Sequence, residues 1–176
     1  MWHLLAACLF SLCSTDPLDR LERDARAFSA WEASYDAPTG GDRLSEYLRL
    51  HRLVESVLGV RVQGFGAPPE TSGAIGRMVT TDPDGTEHVV RVIALNSTLS
   101  PNARLEVLAH EAGHLLQPPG LTDDEGQVFA DAVSYLVTRG NRRTYARYLS
   151  GHKSSLRVLK TYRREIQWAA KVLSGR

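Results

Sequence analysis

The sequence predicts an α+β domain in which helices at both ends of the chain enclose a short β region. Apolar residues recur at helical spacing before and after the stretch 60–95, whereas within that stretch their spacing is that of strands. The chain has 176 residues, 43% of them hydrophobic, which is enough for one domain with a sizeable core. We therefore predict a single domain at residues 16–176, preceded by an N-terminal apolar segment at residues 1–15.

Two helices are predicted ahead of the β region. The first covers residues 16–35, where Asp16 provides an N-cap and is followed by a proline in the first turn. After a short turn, the second helix covers residues 42–58. Gly59 is placed to end it, because glycine readily adopts the left-handed conformation found after helix ends.

The β region is predicted to form a small, mostly antiparallel sheet. Its strands cover residues 60–62, 74–80 and 86–95. The last two are joined by the run Asp-Pro-Asp-Gly at 82–85, in which proline pre-sets one turn dihedral and glycine allows a positive φ. This pattern indicates a hairpin.

The C-terminal half is predicted to be helical. Ser100, followed by proline, caps a third helix, and a loop at 117–122 leads to a fourth helix at residues 123–138. Gly140 ends the fourth helix, and one or two basic helices complete the chain.

The third predicted helix contains the motif H-E-x-x-H at residues 110–114. Residues four apart lie on the same face of a helix, so His110 and His114 can reach one zinc ion at roughly 2.0–2.1 Å. Glu111 lies about 100° round the helix from His110. It can therefore take a proton from a water at the open position of the metal without being a ligand. The spacing predicts a zinc-dependent peptidase with Glu111 as its catalytic base.

The motif is specific, because ordinary residue frequencies produce it by chance in only about one chain in a few hundred of this size. The alternative is that the two histidines are ordinary surface residues. Gly113 costs the helix about 1 kcal/mol relative to alanine. We expect a close approach of the backbone near the metal to compensate. The longer metzincin motif is excluded, because Gln117 and Gly120 stand where it requires a glycine and a histidine or aspartate.

The sequence around the motif resembles that of ImmA/IrrE-type zinc metallopeptidases. The run 93–100 (I-A-L-N-S-T-L-S), the segment 104–116 that ends in H-E-A-G-H-L-L, and the segment 130–137 (A-D-A-V-S-Y-L-V) carry the resemblance. It extends over residues 60–173 and includes a similarity to the zincin domain of ArdC-type antirestriction proteins. The resemblance implies a gluzincin-like, zincin-like fold, a zinc ion, and hydrolysis of peptide bonds in a regulatory protein such as a repressor.

The resemblance also implies a third zinc ligand from the helix that follows the motif. In these families it is a glutamate three residues before an alanine paired with asparagine, aspartate or glutamate. When that pair is placed on the alanine before Asp131, Gln127 occupies the position of the glutamate. An amide oxygen is a poorer zinc ligand than a carboxylate, so this sequence departs from the pattern at that point.

Helical periodicity favours a different third ligand. Glu125 lies by helical angle among the apolar residues of the fourth helix, and a buried acid is costly unless it is paired or bound to a metal. Asp131 and Gln127 remain alternatives. Glu125 could instead only stabilise the helix N-terminus electrostatically. The predicted zinc ligands are His110, His114 and Glu125.

The charges are divided along the chain. Residues 1–138 contain 10 Lys and Arg against 19 Asp and Glu, whereas residues 139–176 contain 11 basic residues and one acid. Together with the tyrosines and the tryptophan among them, these basic residues could bind nucleic acid. We favour a docking helix instead, because apolar residues at helical spacing between 156 and 173 predict a buried stripe. The alternative function is a catalytically inactive zincin scaffold that binds nucleic acid or a protein partner through this segment.

Cysteine usage favours the cytoplasm. Cys8 and Cys13 are the two cysteines of the chain, and their spacing is neither that of a metal quartet nor that of a redox pair. An export signal within residues 1–15 is the alternative, although no Lys or Arg precedes its apolar run. No stretch approaches the roughly 20 apolar residues of a membrane span.

Overall fold

Seven helices and three strands make up the part of the chain that the structure describes. The structure is a computed structural model, and it describes residues 16–27, 42–66, 71–140 and 142–175. The elements in chain order are α1 (Pro17–Ala27), α2 (Arg43–Leu58), β1 (Arg61–Phe65), β2 (Gly73–Thr81), β3 (Glu87–Asn96), α3 (Pro101–Leu116), α4 (Asp123–Thr138), α5 (Arg142–Ser150), α6 (Ser155–Thr161) and α7 (Arg163–Ser174). The predicted α+β class is confirmed. The predicted segment 1–15 and the second part of the first predicted helix, 28–35, lie outside the described residues.

The three strands form one mixed sheet in the order β1-β3-β2. β3 pairs in parallel with β1 over five residues and antiparallel with β2 over nine, so the sheet is small and mostly antiparallel, as predicted. At the hairpin turn, the backbone N–H of Gly85 donates to the carbonyl of Asp82 at 2.9 Å. Ile93 and Leu95 of β3 are buried, and the sheet places their strand against α3.

Local signals position most helix ends. Ser100 caps α3, and its Oγ accepts the N–H of Ala103 at 3.3 Å. Gly59 ends α2 in the left-handed conformation at φ 62°. The end of α4 differs from the prediction: Arg139, rather than Gly140, adopts the left-handed conformation, at φ 49°.

Helices α3 and α4 pack closely against each other in the centre of the domain. Leu108 of α3 and Phe129 of α4 are both fully buried. A Cβ added to Gly113 would lie 3.0 Å from the Cα of Ala130, so glycine is needed for the two helices to approach this closely. The close approach predicted at Gly113 is made with the backbone of α4.

The basic C-terminal segment forms three helices rather than the one or two predicted. Leu159, Ile166 and Leu173 are fully buried, which agrees with a docking stripe, although Leu156 is exposed. Arg163 pairs with Asp16 at 2.6 Å, so a C-terminal base neutralises an N-terminal acid. Within the described ranges, no helix is long and apolar enough to cross a membrane.

Candidate metal centre

His110 and His114 turn one nitrogen each toward the other across a single turn of α3. Their Nε2 atoms are 3.1 Å apart, and their ring planes are inclined at 82° with centroids 4.8 Å apart. Residues four apart on a helix share one face, which makes this convergence possible. Two nitrogens bound at about 2.0–2.1 Å to one tetrahedral zinc ion are about 3.3 Å apart. The observed spacing therefore fits two ligands of one metal ion.

The outer nitrogen of each ring contacts an oxygen atom. His110 Nδ1 lies 2.9 Å from Oδ1 of Asp131, and His114 Nδ1 lies 3.0 Å from Oε1 of Gln117. A hydrogen bond to an acceptor oxygen requires that Nδ1 carry the hydrogen, which leaves the Nε2 of a neutral imidazole with a lone pair. Two such lone pairs repel each other at 3.1 Å unless a metal ion or a shared proton lies between them. Partners of this kind also orient histidine ligands in metal sites.

The electrostatics of the site favour a positive charge on the ring of His110. Burial lowers the pKa of His110, but its hydrogen bond to Asp131 and the negative charges of Asp131 and Glu111 outweigh burial and raise the pKa above its ordinary value. Burial also raises the pKa of the Glu111 carboxyl, and the two histidines oppose this only in part. The site therefore combines an imidazole and a carboxyl group, each of increased proton affinity.

Glu111 lies where α3 approaches the first residue of β2. A Cβ added to Gly73 would be 3.1 Å from Oε1 of Glu111 and 2.6 Å from Cγ1 of Val107, so the glycine allows the strand to come this close. Glu111 lines the same cavity as the two histidines. The predicted base is thus beside β2, an edge strand of the sheet.

Helix α4 supplies the remaining polar groups next to the histidines. Gln127 and Asp131 lie one turn apart on this helix and both line the cavity. Asp131 contacts the outer nitrogen of His110, and Gln127 lies close enough to His110 to contribute to the rise in its pKa. Within the described ranges, no third His, Cys, Asp or Glu joins the two histidines. Gln127 is therefore the side chain on α4 that is placed to provide a further donor oxygen.

Glu125 does not line this cavity, which corrects its predicted place in the site. Its Oε2 accepts the backbone N–H and the hydroxyl of Thr122, both at 2.9 Å, and Thr122 Oγ1 accepts the N–H of Glu125 in return. This is a capping box at the start of α4. Its Oε1 pairs with Arg157 at 2.5 Å. Glu125 is buried, as the periodicity indicates. Its charge is balanced by the helix cap and by Arg157 rather than by the predicted metal ion.

A cavity of about 610 Å³ lies in front of the two histidines. His152, in the loop after α5, forms part of its opposite wall. Its Nδ1 is 2.7 Å from Oδ1 of Asp124, whose Oδ2 accepts the N–H of Ser154 at 3.2 Å and the Ser154 hydroxyl. These bonds fix the ring and leave Nε2 for a molecule in the cavity. The lining residues are Ser72, Gly73, Ala74, Glu106, Val107, His110, Glu111, His114, Gln127, Asp131, Ser134, Tyr145, Tyr148 and His152.

Sequence reasoning missed His152 and Glu106 among the residues that line this cavity. From the sequence, His152 is a solvated or structural histidine, because no metal-ligand spacing surrounds it. Its partner Asp124 is 28 residues away, so no local pattern indicates the pair. Glu106 could have been found by extending the face of His110 by one helical turn toward the N-terminus.

Comparison with known proteins identifies the segment that builds most of this site. Residues 70–135 match the family model of the IrrE N-terminal-like domain, the peptidase M78 family. The match contains β2, β3, α3 and most of α4, and with them both histidines of the motif. The resemblance to ImmA/IrrE-type peptidases is thereby confirmed over this segment. No curated protein and no solved structure matches the chain.

Proposed function

We propose, from the premise that residues 70–135 form a peptidase domain of the IrrE N-terminal-like type, that this chain hydrolyses peptide bonds with a zinc ion. The observation that carries the proposal is the convergence of two Nε2 atoms at 3.1 Å while both Nδ1 atoms contact oxygens. Such a pair of neutral imidazoles is stable with a cation between the rings. The proposed ligands are His110, His114 and Gln127.

The donor set fits zinc, with one weaker member. Imidazole nitrogens are preferred zinc ligands, and catalytic zinc sites use three protein ligands and one open position. An amide oxygen carries no formal charge, so Gln127 should bind the ion less firmly than a carboxylate would. We therefore expect zinc to exchange from this centre more readily than from a site with two histidines and a glutamate.

In the proposed reaction, Glu111 transfers protons and His152 stabilises the charge that develops on the substrate. A zinc ion bound there would polarise a peptide carbonyl and lower the pKa of a coordinated water. Glu111 accepts a proton from the water as its oxygen bonds to the carbonyl carbon, and passes a proton to the amide nitrogen as the C–N bond breaks. One carboxylate and one amine result. His152, which Asp124 orients, donates a hydrogen bond to the carbonyl oxygen as charge develops on it.

Metal removal tests this function. The purified full chain, incubated with a library of peptides, is expected to cleave a subset of them. We expect a chelator to abolish cleavage and stoichiometric zinc to restore it, whereas magnesium, which prefers oxygen ligands, should not. Mass spectrometry of the products provides the readout. Cleavage that persists at full rate in a chain shown to be free of metal would contradict the proposal.

His152 should contribute through the transition state. We expect His152→Gln to lower kcat for a cleaved peptide by about 10²-fold, with little change in KM, because it removes one donor to the developing charge. His88→Gln is the matched control, since His88 forms a similar pair with Asp82, at 2.9 Å, on the β2–β3 hairpin and does not line the cavity. A kcat equal to that of the control would remove His152 from the mechanism.

A further inference from the structure

We propose that Glu106, Tyr145 and Tyr148 form a subsite for a lysine or arginine side chain of the substrate, next to the bond that is cleaved. This inference rests on the proposed peptidase function and adds a substrate class to it. Nothing in the motif or in the family match assigns these three residues. Their arrangement in the cavity carries the inference.

Glu106 lies one helical turn before His110 on the same face of α3. Both residues line the cavity, so the carboxylate of Glu106 faces the space adjoining the metal centre. A peptide whose carbonyl lies at the metal therefore presents a neighbouring side chain to this end of the cavity.

We call the part of the cavity lined by Glu106, Tyr145 and Tyr148 the recess. A buried polar network lies next to it. The Ser134 hydroxyl donates to the backbone carbonyl of Glu106 at 3.0 Å and lies 2.7 Å from the hydroxyl of Tyr145. Ser134 and Tyr145 are both buried. The rings of Tyr145 and Tyr148 meet edge to face with centroids 5.9 Å apart, and Tyr148 extends toward solvent at the rim. The recess thus combines a buried polar network with two aromatic rings, of which Tyr148 is exposed.

The charge of Glu106 is not neutralised from within the cavity. Among the described residues that line it, none is a lysine or an arginine. Burial raises the pKa of Glu106, and Arg43 opposes this only in part. Arg43 itself is held by Glu46 and by the carbonyl of Thr138, both at 2.8 Å. The side-chain amide of Asn102 donates to Oε1 of Glu106 at 3.4 Å.

The two other carboxylates of the cavity already have partners or roles. Asp131 contacts His110, and Glu111 lies beside the histidine pair. With a divalent cation in place, these two negative charges are balanced and that of Glu106 is not. A ligand cation in the recess would supply the missing charge.

A basic side chain matches each part of the recess. Its methylene groups can pack along the tyrosine rings, its charge can lie over the face of Tyr148, and its N–H groups can donate to Glu106. An acidic side chain would meet a like charge there. A hydrogen bond to a charged group corresponds to a preference of roughly tenfold or more over a neutral side chain of similar length.

Peptides that differ at one position next to the scissile bond test the subsite. With the zinc-loaded full chain, kcat/KM should be about tenfold or more higher for Lys or Arg than for Gln or Leu at that position. Glu106→Gln should remove the preference while neutral peptides are still cleaved. Glu106→Lys should shift the preference to Asp or Glu. Glu87→Gln is the control, because Glu87 is exposed at the start of β3 and does not line the cavity. An unchanged preference in Glu106→Gln would overturn the subsite.

A binding measurement separates this inference from the proposed function. The zinc-loaded Glu111→Gln chain is titrated with fluorescent Lys and Gln peptides, and the double variant Glu111→Gln, Glu106→Gln is measured beside it. Cleavage without a charge preference would overturn the subsite and leave the peptidase in place. Preferential binding of Lys peptides that depends on Glu106, without cleavage by wild type, would support the subsite and contradict the peptidase. Neither binding nor cleavage of any peptide would overturn both.

Discussion

A Glu111→Gln variant is expected to lose about 10²–10⁴-fold of kcat for peptide hydrolysis while it retains its zinc. Glutamine has nearly the shape of glutamate, but its amide cannot accept the proton that the attacking water must release. Glu111 lines the cavity beside the histidine pair, and the outer nitrogens of that pair contact Asp131 and Gln117. The metal-binding geometry should therefore survive the substitution. Initial rates on a cleaved peptide and the zinc content of the same sample measure both parts of the prediction.

Glu87→Gln is again a suitable control, because it makes the same chemical change on the exposed hairpin. If the Glu111→Gln chain retained full peptidase activity, Glu111 would not be the base. If it lost zinc together with activity, Glu111 would be a ligand rather than a base. If wild type were inactive toward peptides and its biological activity survived the substitution, the alternative of an inactive binding scaffold would be favoured.

Metal content should rank the residues of the centre in a definite order. We expect His114→Ala to lose stoichiometric zinc, because a single imidazole remains on α3. Gln127→Ala should weaken zinc binding by a smaller factor, since it removes one neutral donor. Glu125→Ala should keep the wild-type affinity for zinc and lower the free energy of unfolding by about 1 kcal/mol, because it removes one half of the capping box. Zinc titration and denaturant unfolding of each variant provide the measurements.

His88→Ala serves as the histidine control for this series, because His88 is exposed on the hairpin. A loss of zinc in Glu125→Ala that exceeded the loss in Gln127→Ala would restore our original choice of third ligand. Wild-type affinity in Gln127→Ala would show that Gln127 is not a ligand. Gln127→Glu provides a complementary variant, and a carboxylate at that position should increase zinc affinity by roughly tenfold or more.

Features set by neighbouring residues could be predicted from the sequence. The spacing of His110 and His114, the cap at Ser100 and the left-handed Gly59 each depend on contacts within a few residues, and the structure agrees with the sequence on all three. The α+β class follows from the change of hydrophobic period, which is also a local property.

The error at Glu125 has a physical cause. The angle of Glu125 round the helix axis correctly indicates that its side chain is buried. The angle does not identify the groups that the side chain contacts, because these also depend on the position of the residue along the helix axis. Glu125 is the third residue of α4. From this position its carboxylate reaches the backbone N–H of Thr122, which has no partner within the helix, and the two form a cap. Gln127, half a turn further along, faces the histidines.

The remaining site residues depend on contacts between distant segments. His152 meets Asp124 across 28 residues, and Ser134 meets Tyr145 across 11, so neither pair has a signature in the spacing of the sequence. Their places follow from how α5 and its following loop pack against α4. Such packing depends on how the shapes of many side chains fit together, and the periodicity of the sequence does not describe that fit.

The near contact between Gly113 and Ala130 has a consequence for how the centre acquires its ion. Since the two helices already touch at that level, the donors on α3 and those on α4 have a fixed separation before any ion arrives. If the proposed zinc function holds, we expect folding rather than coordination to bring these donors together, so that the chain rearranges little when it captures the ion. We therefore expect the chain to stay folded without zinc, and to bind or release the ion as the concentration of free zinc changes.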